Sequence, residues 1–176
     1  KTLESALDQT YNLYEHLIID AKSTDKTLSI IKAYPKCKII SEFDNGIYDA
    51  MNKGIKIARG EIIGFLNSDD FFASNDVLSK INSLFEQNSL LDACYADLIY
   101  VDRLNVNKNI RYWKSNKFIP GSFSKGWSPP HPTFFARRSL YERFGNFNLK
   151  YKLASDNDIM MRFMELNKIN AVSYTH

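Results

Sequence analysis

The sequence predicts an α/β fold in which a mostly parallel, Rossmann-like sheet is flanked by helices. Three observations carry this prediction. Apolar residues switch repeatedly between helical spacing and short β-type runs along the whole chain. Acidic and Asn/Ser clusters follow the ends of the apolar runs, where open α/β sheets gather their ligand-binding loops. The 176 residues are 44% hydrophobic and 14% aromatic, enough for one compact domain over residues 1–176 but not for two large ones.

The elements follow in order. Leu3, Ala6 and Leu7 predict a helix over residues 2–10, and His16-Leu17-Ile18-Ile19 a buried strand ending at Asp20. Ser23, Thr24 and Asp25 offer capping oxygens to a helix carrying Leu28, Ile30 and Ile31, which Pro35 stops. Lys38-Ile39-Ile40 is a short strand. Ile47, Met51, Ile55 and Ala58 recur at helical spacing, with Gly60 placed for a left-handed helix end. Glu61 to Leu66 reads as an apolar strand, after which Ser74 or Asn75 caps a helix reaching about Glu86. Ala93 to Val101 and Ile110 to Trp113 read as strands joined by an Asn-rich turn, an antiparallel excursion. Residues 114–132 lack periodicity and predict a long irregular loop, a mobile lid. A strand at His131 to Ala136, a helix at Ser139 to Phe144 and a longer helix at Ala154 to Leu166 complete the pattern. Because the chain opens on a helix, where a parallel sheet begins with a buried strand, the first strand is expected upstream. Ile169 to Val172 is strand-like and reaches Tyr174-Thr175-His176 without an evident stop, as a trimmed piece would.

The charge balance excludes some partners. Lys and Arg number 23 against 20 Asp and Glu, a net charge of +3, and the basic residues are scattered instead of forming a stripe, so nucleic acid is not expected. The small excess can attract a diphosphate or an anionic membrane surface. Cys37 and Cys94 lie far apart without metal-ligand spacing, which points to reduced thiols and a cytoplasmic setting, at the inner face of the membrane if peripherally associated. No apolar run reaches the length of a membrane span.

Four clusters stand at or beyond predicted strand ends: Asp20 with Ser23-Thr24-Asp25, Asn67-Ser68-Asp69-Asp70, Pro129-Pro130-His131-Pro132, and Ser155-Asp156-Asn157-Asp158. Adjacent carboxylates in a crevice call for a neutralising cation, and Mg²⁺ or Mn²⁺ held by Asp69 and Asp70 would bridge a diphosphate. The alternative is a turn and capping cluster ahead of Ser74. His131 is either a ligand to the same metal or a structural residue at a strand entrance. Asp158, in a first helical turn, is favoured there by the helix dipole whatever its function.

The run Glu42-Phe43-Asp44-Asn45-Gly46-Ile47-Tyr48-Asp49-Ala50-Met51-Asn52-Lys53-Gly54, continued by Ala58-Arg59-Gly60-Glu61 through Asp69-Asp70, resembles the core signature of family 2 glycosyltransferases. So does Ile18-Ile19-Asp20 with Ser23-Thr24-Asp25-Lys26-Thr27. His131-Pro132-Thr133-Phe134-Phe135 and Ala154-Ser155-Asp156-Asn157-Asp158 through Arg162 are similar to that family's acceptor-side blocks. The resemblance implies a GT-A fold and an inverting transfer from a nucleoside-diphosphate sugar to a carbohydrate or lipid-linked acceptor, in cell-surface polysaccharide or glycolipid synthesis. It implies that residues 1–100 bind the nucleotide sugar and residues 101–176 face the acceptor. Asp20 matches the position associated with the nucleotide base, although Ala21 stands where many relatives have a second Asp. Asp69 and Asp70 match the metal-diphosphate motif, and Asp156 the catalytic base. Asp49 and Asn52 are read as support for the nucleotide site.

Trp113, Trp127, Tyr112 and Phe118 flank the irregular loop, where they stack on sugar or pack a core. Arg137 and Arg138 are read as solvated charges, and Arg162 as the partner of an internal carboxylate. The rival classes are a nucleotidyltransferase, disfavoured by the lack of a Gly-rich basic phosphate loop, and a catalytically silent sugar-binding module.

Overall fold

A computed structural model of the chain describes residues 1–174. Its elements are α1 (Thr2–Leu7), β1 (His16–Asp20), α2 (Thr27–Lys32), β2 (Cys37–Ser41), α3 (Ile47–Ile57), β3 (Ile62–Gly64), α4 (Val77–Gln87), β4 (Ala93–Tyr95), β5 (Leu98–Val101), β6 (Asn109–Trp113), β7 (Phe135–Arg137), α5 (Arg138–Phe144), α6 (Ser155–Met161) and β8 (Ala171–Ser173). A π-helical turn, Arg162–Leu166, prolongs α6. Thr175 and His176, on which part of the reading of the chain's end falls, lie outside the described residues.

β1 and β2 pair in parallel from His16 opposite Cys37 to Asp20 opposite Ser41. The other sheet has the order β3-β7-β4-β8, with β7 antiparallel to both neighbours and β4 parallel to β8. The sheet is therefore mixed at β7, for a reason in the connection. The β5–β6 hairpin sets Trp113 opposite Leu98 and so returns the chain to the end of β4 it had just left. The next strand to join must run backwards, because a parallel neighbour needs a crossover to the far end.

Several boundaries differ from the sequence reading because side chains intervene. The run Ala93 to Val101 breaks after Tyr95, where the Thr133 hydroxyl binds both the Ala96 amide (3.0 Å) and its carbonyl (2.9 Å). α1 stops at Leu7, and Gln9 beyond it donates to Ser74 O and accepts from the Leu78 amide, stitching α1 to the start of α4. α3 ends in extended backbone at Ala58, so Gly60 is not its left-handed terminus. A glycine is instead required at Gly64, where a Cβ would sit 2.1 Å from the Phe135 ring packed across it.

One face of the β3-β7-β4-β8 sheet carries the main core. Met51 and Ile55 of α3, Leu140 and Tyr141 of α5, and Ile159, Met160, Phe163 and Met164 are buried there together. The opposite face packs Ile81 and Phe85 of α4 against Leu91, Cys94 and Phe135. Burial pushes the Cys94 thiol up to about 12, so it behaves as an apolar side chain.

β1 and β3 are not paired with each other. The Glu42 amide donates to Asp20 O, which sets His16, Ile18 and Asp20 toward β2 and turns the backbone groups of Leu17 and Ile19 away from it. On β3 the Arg138 amide donates to Glu61 O, so Ile63 faces β7 while Ile62 and Gly64 turn outward. The Glu15 carboxylate accepts from the amides of Arg59 and Gly60, so the two strands start side by side and run the same way. Between them lies a cavity of about 1200 Å³ lined by Leu17, Ile19, Met51, Ile62, Gly64 and Phe65 among others.

Candidate active site

Strand ends and helix starts bring the acidic clusters to one end of the sheets. Phe65, just beyond β3, stacks on His131 at 5.6 Å and meets Phe147 edge-on at 5.3 Å. Phe147 in turn stacks on Tyr48 at 5.5 Å, and the Tyr48 hydroxyl donates to Asp156 Oδ1 at 2.9 Å. A continuous path of contacts thus leads from the carboxyl end of β3 to the first turn of α6.

Asp156 is half-buried in that turn, beside Ser155, which is wholly buried. Tyr48 occupies the first turn of α3, and burial, reinforced by Asp156, holds its hydroxyl above the ordinary range, so it remains a donor at physiological pH. His131 is buried between Phe65 and Phe147, and burial lowers its pKa against the opposing pull of Asp156. It is a neutral ring in an aromatic wall at neutral pH.

Asp69 is exposed and Asp70 half-buried in the turn after β3. Burial, with the Asp69 charge adding to it, raises the pKa of Asp70 despite a 2.8 Å hydrogen bond from Asn67. A carboxylate held in this way gains from a cation, and two carboxylates leave coordination positions for phosphate oxygens, so the pair fits Mg²⁺ or Mn²⁺. Among the described residues no three His, Cys, Asp or Glu side chains converge as a metal cage, and His131 packs between Phe65 and Phe147.

Asp20 is buried at the end of β1. Burial raises its pKa, but hydrogen bonds from Ser23 Oγ, Ser41 Oγ and the Ser23 amide together outweigh it and leave the group below the usual carboxylate range. Its position braces the loop after β1 against the end of β2. Asp49 accepts from the Asn45 amide at 2.8 Å and approaches Lys53 at 3.9 Å, which makes it part of the α3 entrance. Asn52 exchanges hydrogen bonds with the Phe147 backbone, donating to its carbonyl at 3.0 Å and accepting from its amide at 2.9 Å. Both side chains are engaged within the fold, and what Asn52 supports directly is the loop before α6.

The sequence reading named the carboxylates but missed Tyr48 and Phe147 as their neighbours. The i, i+4 spacing of Tyr48 and Asn52 places both on one face of α3, but nothing local joins that face to Asp156. Arg162 does pair with an internal carboxylate, Asp158, at 2.9 Å, and it also donates to the carbonyls of Phe144, Gly145 and Asn146. Arg137 is no solvated charge: it pairs with Glu61, donates to Leu91 O at 2.7 Å and lies over the Phe85 ring. The segment expected to be a mobile lid is packed down, with Phe118, Phe123 and Trp127 in mutual ring contact and Trp127 against Tyr95.

The path of the chain is that of the GT-A class of folds. TarS 1–349 of S. aureus, solved in complex with UDP-GlcNAc, matches it with a TM-score of 0.74 at 20% identity over 99% of this chain and 54% of that one. Mannosyl-3-phosphoglycerate synthase from Rubrobacter xylanophilus matches with a TM-score of 0.58 at 14% identity, over 92% of this chain and 55% of that one. The chain belongs to glycosyl transferase family 2, whose model matches residues 1–158. A PGL/p-HBAD biosynthesis glycosyltransferase of Mycobacterium bovis (strain BCG / Pasteur 1173P2) is 29% identical over 165 residues, covering 91% of this chain and 62% of that relative. The Escherichia coli UDP-Glc:alpha-D-GlcNAc-diphosphoundecaprenol beta-1,3-glucosyltransferase WfaP is 39% identical over 84 residues, covering 46% of this chain and 34% of that relative. Among the described residues no helix is long and apolar enough to cross a membrane.

Proposed function

We propose that this domain transfers a sugar from a nucleoside-diphosphate donor to an acceptor hydroxyl with inversion at the anomeric carbon. The observation that carries the proposal is the pair of acidic stations at one end of the sheet, Asp69-Asp70 after β3 and Asp156 at the start of α6, linked by Phe65, Phe147 and Tyr48. Asp156 accepts the proton of the acceptor hydroxyl as its oxygen attacks the anomeric carbon and the bond to the nucleoside diphosphate breaks. Asp69 and Asp70 would hold Mg²⁺ or Mn²⁺, which when bound stabilises the negative charge of the departing diphosphate. Asp20 braces the β1 end of the nucleoside pocket. The direction of attack follows single-displacement logic, with an acceptor alcohol where an inverting glycosidase uses water.

The named relatives support the donor and acceptor classes: one was solved with UDP-GlcNAc and another is named for a sugar-diphosphoundecaprenol acceptor. That likeness supports a lipid-linked or carbohydrate acceptor, and the proposal extends to peripheral contact with the inner face of the membrane.

The test is thermal stabilisation and donor hydrolysis across a panel of nucleotide sugars that includes UDP-GlcNAc and UDP-glucose, with Mn²⁺ and with chelator. Turnover by Asp156→Asn should fall by about 10²–10⁴ with donor binding nearly unchanged. Donor affinity that is equal with metal and with chelator would remove the Asp69-Asp70 assignment. Full activity in Asp156→Asn would remove the base.

A further inference from the structure

We infer that Tyr48 is the positioning residue of the base, fixing the rotation of the Asp156 carboxylate by donating to one oxygen and leaving the other for the acceptor. The inference rests on the assignment of Asp156 made above, but the observations that carry it are separate. The 2.9 Å hydrogen bond joins residues 108 apart in sequence, so it spans α3 and α6 and not a local turn. Tyr48 is itself over-determined: its ring stacks on Phe147, and the Phe147 backbone is gripped by the Asn52 amide from both sides. Tyr48 and Asn52 lie one helical turn apart on α3, so a single helix face holds the hydroxyl, the ring beneath it and the loop that carries that ring.

The remaining groups around Asp156 leave Tyr48 as its identified donor. His131 acts on it through space and is neutral by burial. Asp158, two residues on, is committed to Arg162, whose guanidinium is spread over the carbonyls of residues 144–146. A carboxylate with one oxygen fixed loses the freedom to rotate away from the acceptor, which is the positional gain that catalysis draws on.

Tyr48→Phe keeps the ring on Phe147 and removes only the donor. Two readouts are taken. The first needs no substrate: in protein labelled with carboxyl-¹³C aspartate, the Asp156 resonance is identified by its loss in Asp156→Asn and its chemical shift is compared between parent and variant at one pH. That resonance should move in Tyr48→Phe, because one carboxylate oxygen loses its donor. The second is hydrolysis of UDP-GlcNAc and UDP-glucose, where turnover should fall about tenfold with the donor KM unchanged. An unmoved resonance overturns the inference even if the melting temperature drops, because a merely structural tyrosine would lower stability alone. If Tyr48→Phe is too unstable for the measurement, Tyr48→3-fluorotyrosine strengthens the donor and must move the same resonance, and no change there overturns the inference equally. Full hydrolysis by Asp156→Asn would sink the base assignment and the positioning role together, whereas an inactive Asp156→Asn beside a Tyr48→Phe that matches the parent in both readouts sinks the positioning role only.

Discussion

The two sheets of this domain are held by different physics. In the β3-β7-β4-β8 sheet, Ala93, Tyr95 and Ala136 are 0% exposed and Phe163, in the same core, is 0% exposed. In the β1–β2 pair every residue of β1 except Asp20 is only half-buried, and Asp20 is held by polar contacts with Ser23 and Ser41. The proposed base therefore stands on an apolar, aromatic foundation, while the β1 end of the proposed donor site is a polar brace. Packing energy should govern the first region, and charge and solvent conditions the second.

The largest test of that contrast is truncation. Phe163→Ala should cost about 3–5 kcal/mol, as for a buried aromatic whose cavity cannot collapse, whereas Leu17→Ala beside the cavity of the other sheet should cost about 1 kcal/mol. Equal losses in denaturant melts would erase the distinction. Next comes Asp158→Asn, which removes the partner of Arg162 and with it the brace on residues 144–146. About 1–2 kcal/mol of stability should be lost, with sugar transfer reduced less than in Asp156→Asn. A dead enzyme of normal stability would move the base two residues along α6.

The subtlest test sets two carboxylates against each other. Asp20 has its folded pKa lowered, so it contributes stability above the ordinary carboxylate range, and that contribution is lost as pH falls through the folded value. Asp70 has its folded pKa raised, so its ionisation costs stability once pH climbs through the unfolded value and beyond. At neutral pH without metal, Asp20→Asn should lower the melting temperature and Asp70→Asn should raise it. Excess Mn²⁺ should cancel the second effect by stabilising the parent. Shifts of the same sign in both variants would show that the local environments have been read wrongly.

Much of this was legible in the sequence because it depends on periodicity. The apolar spacing of Ile47, Met51 and Ile55 announced α3, and the run ending at Asp20 announced β1 with its acidic terminus. The direction of β7 was not legible, since it depends on where the β5–β6 hairpin delivers the chain. The break after Tyr95 was hidden too, because its cause is the hydroxyl of Thr133, 37 residues away from the Ala96 it binds. The contacts between Tyr48, Phe147 and Asp156 are tertiary for the same reason: no local pattern signals a phenol that meets a carboxylate 108 residues later.

The outward-turned backbone groups of Leu17, Ile19, Ile62 and Gly64 have a consequence for isotope labelling. Protection in a regular strand normally belongs to the strand as a whole, yet here it should alternate residue by residue. The amide of Ile18, turned toward β2, and that of Ile63, turned toward β7, should retain their protons far longer than their immediate neighbours, which face the cavity. A deuterium-exchange time course read at single-residue resolution would display β1 and β3 as striped, and any ligand or segment that came to bridge them would turn the stripes solid.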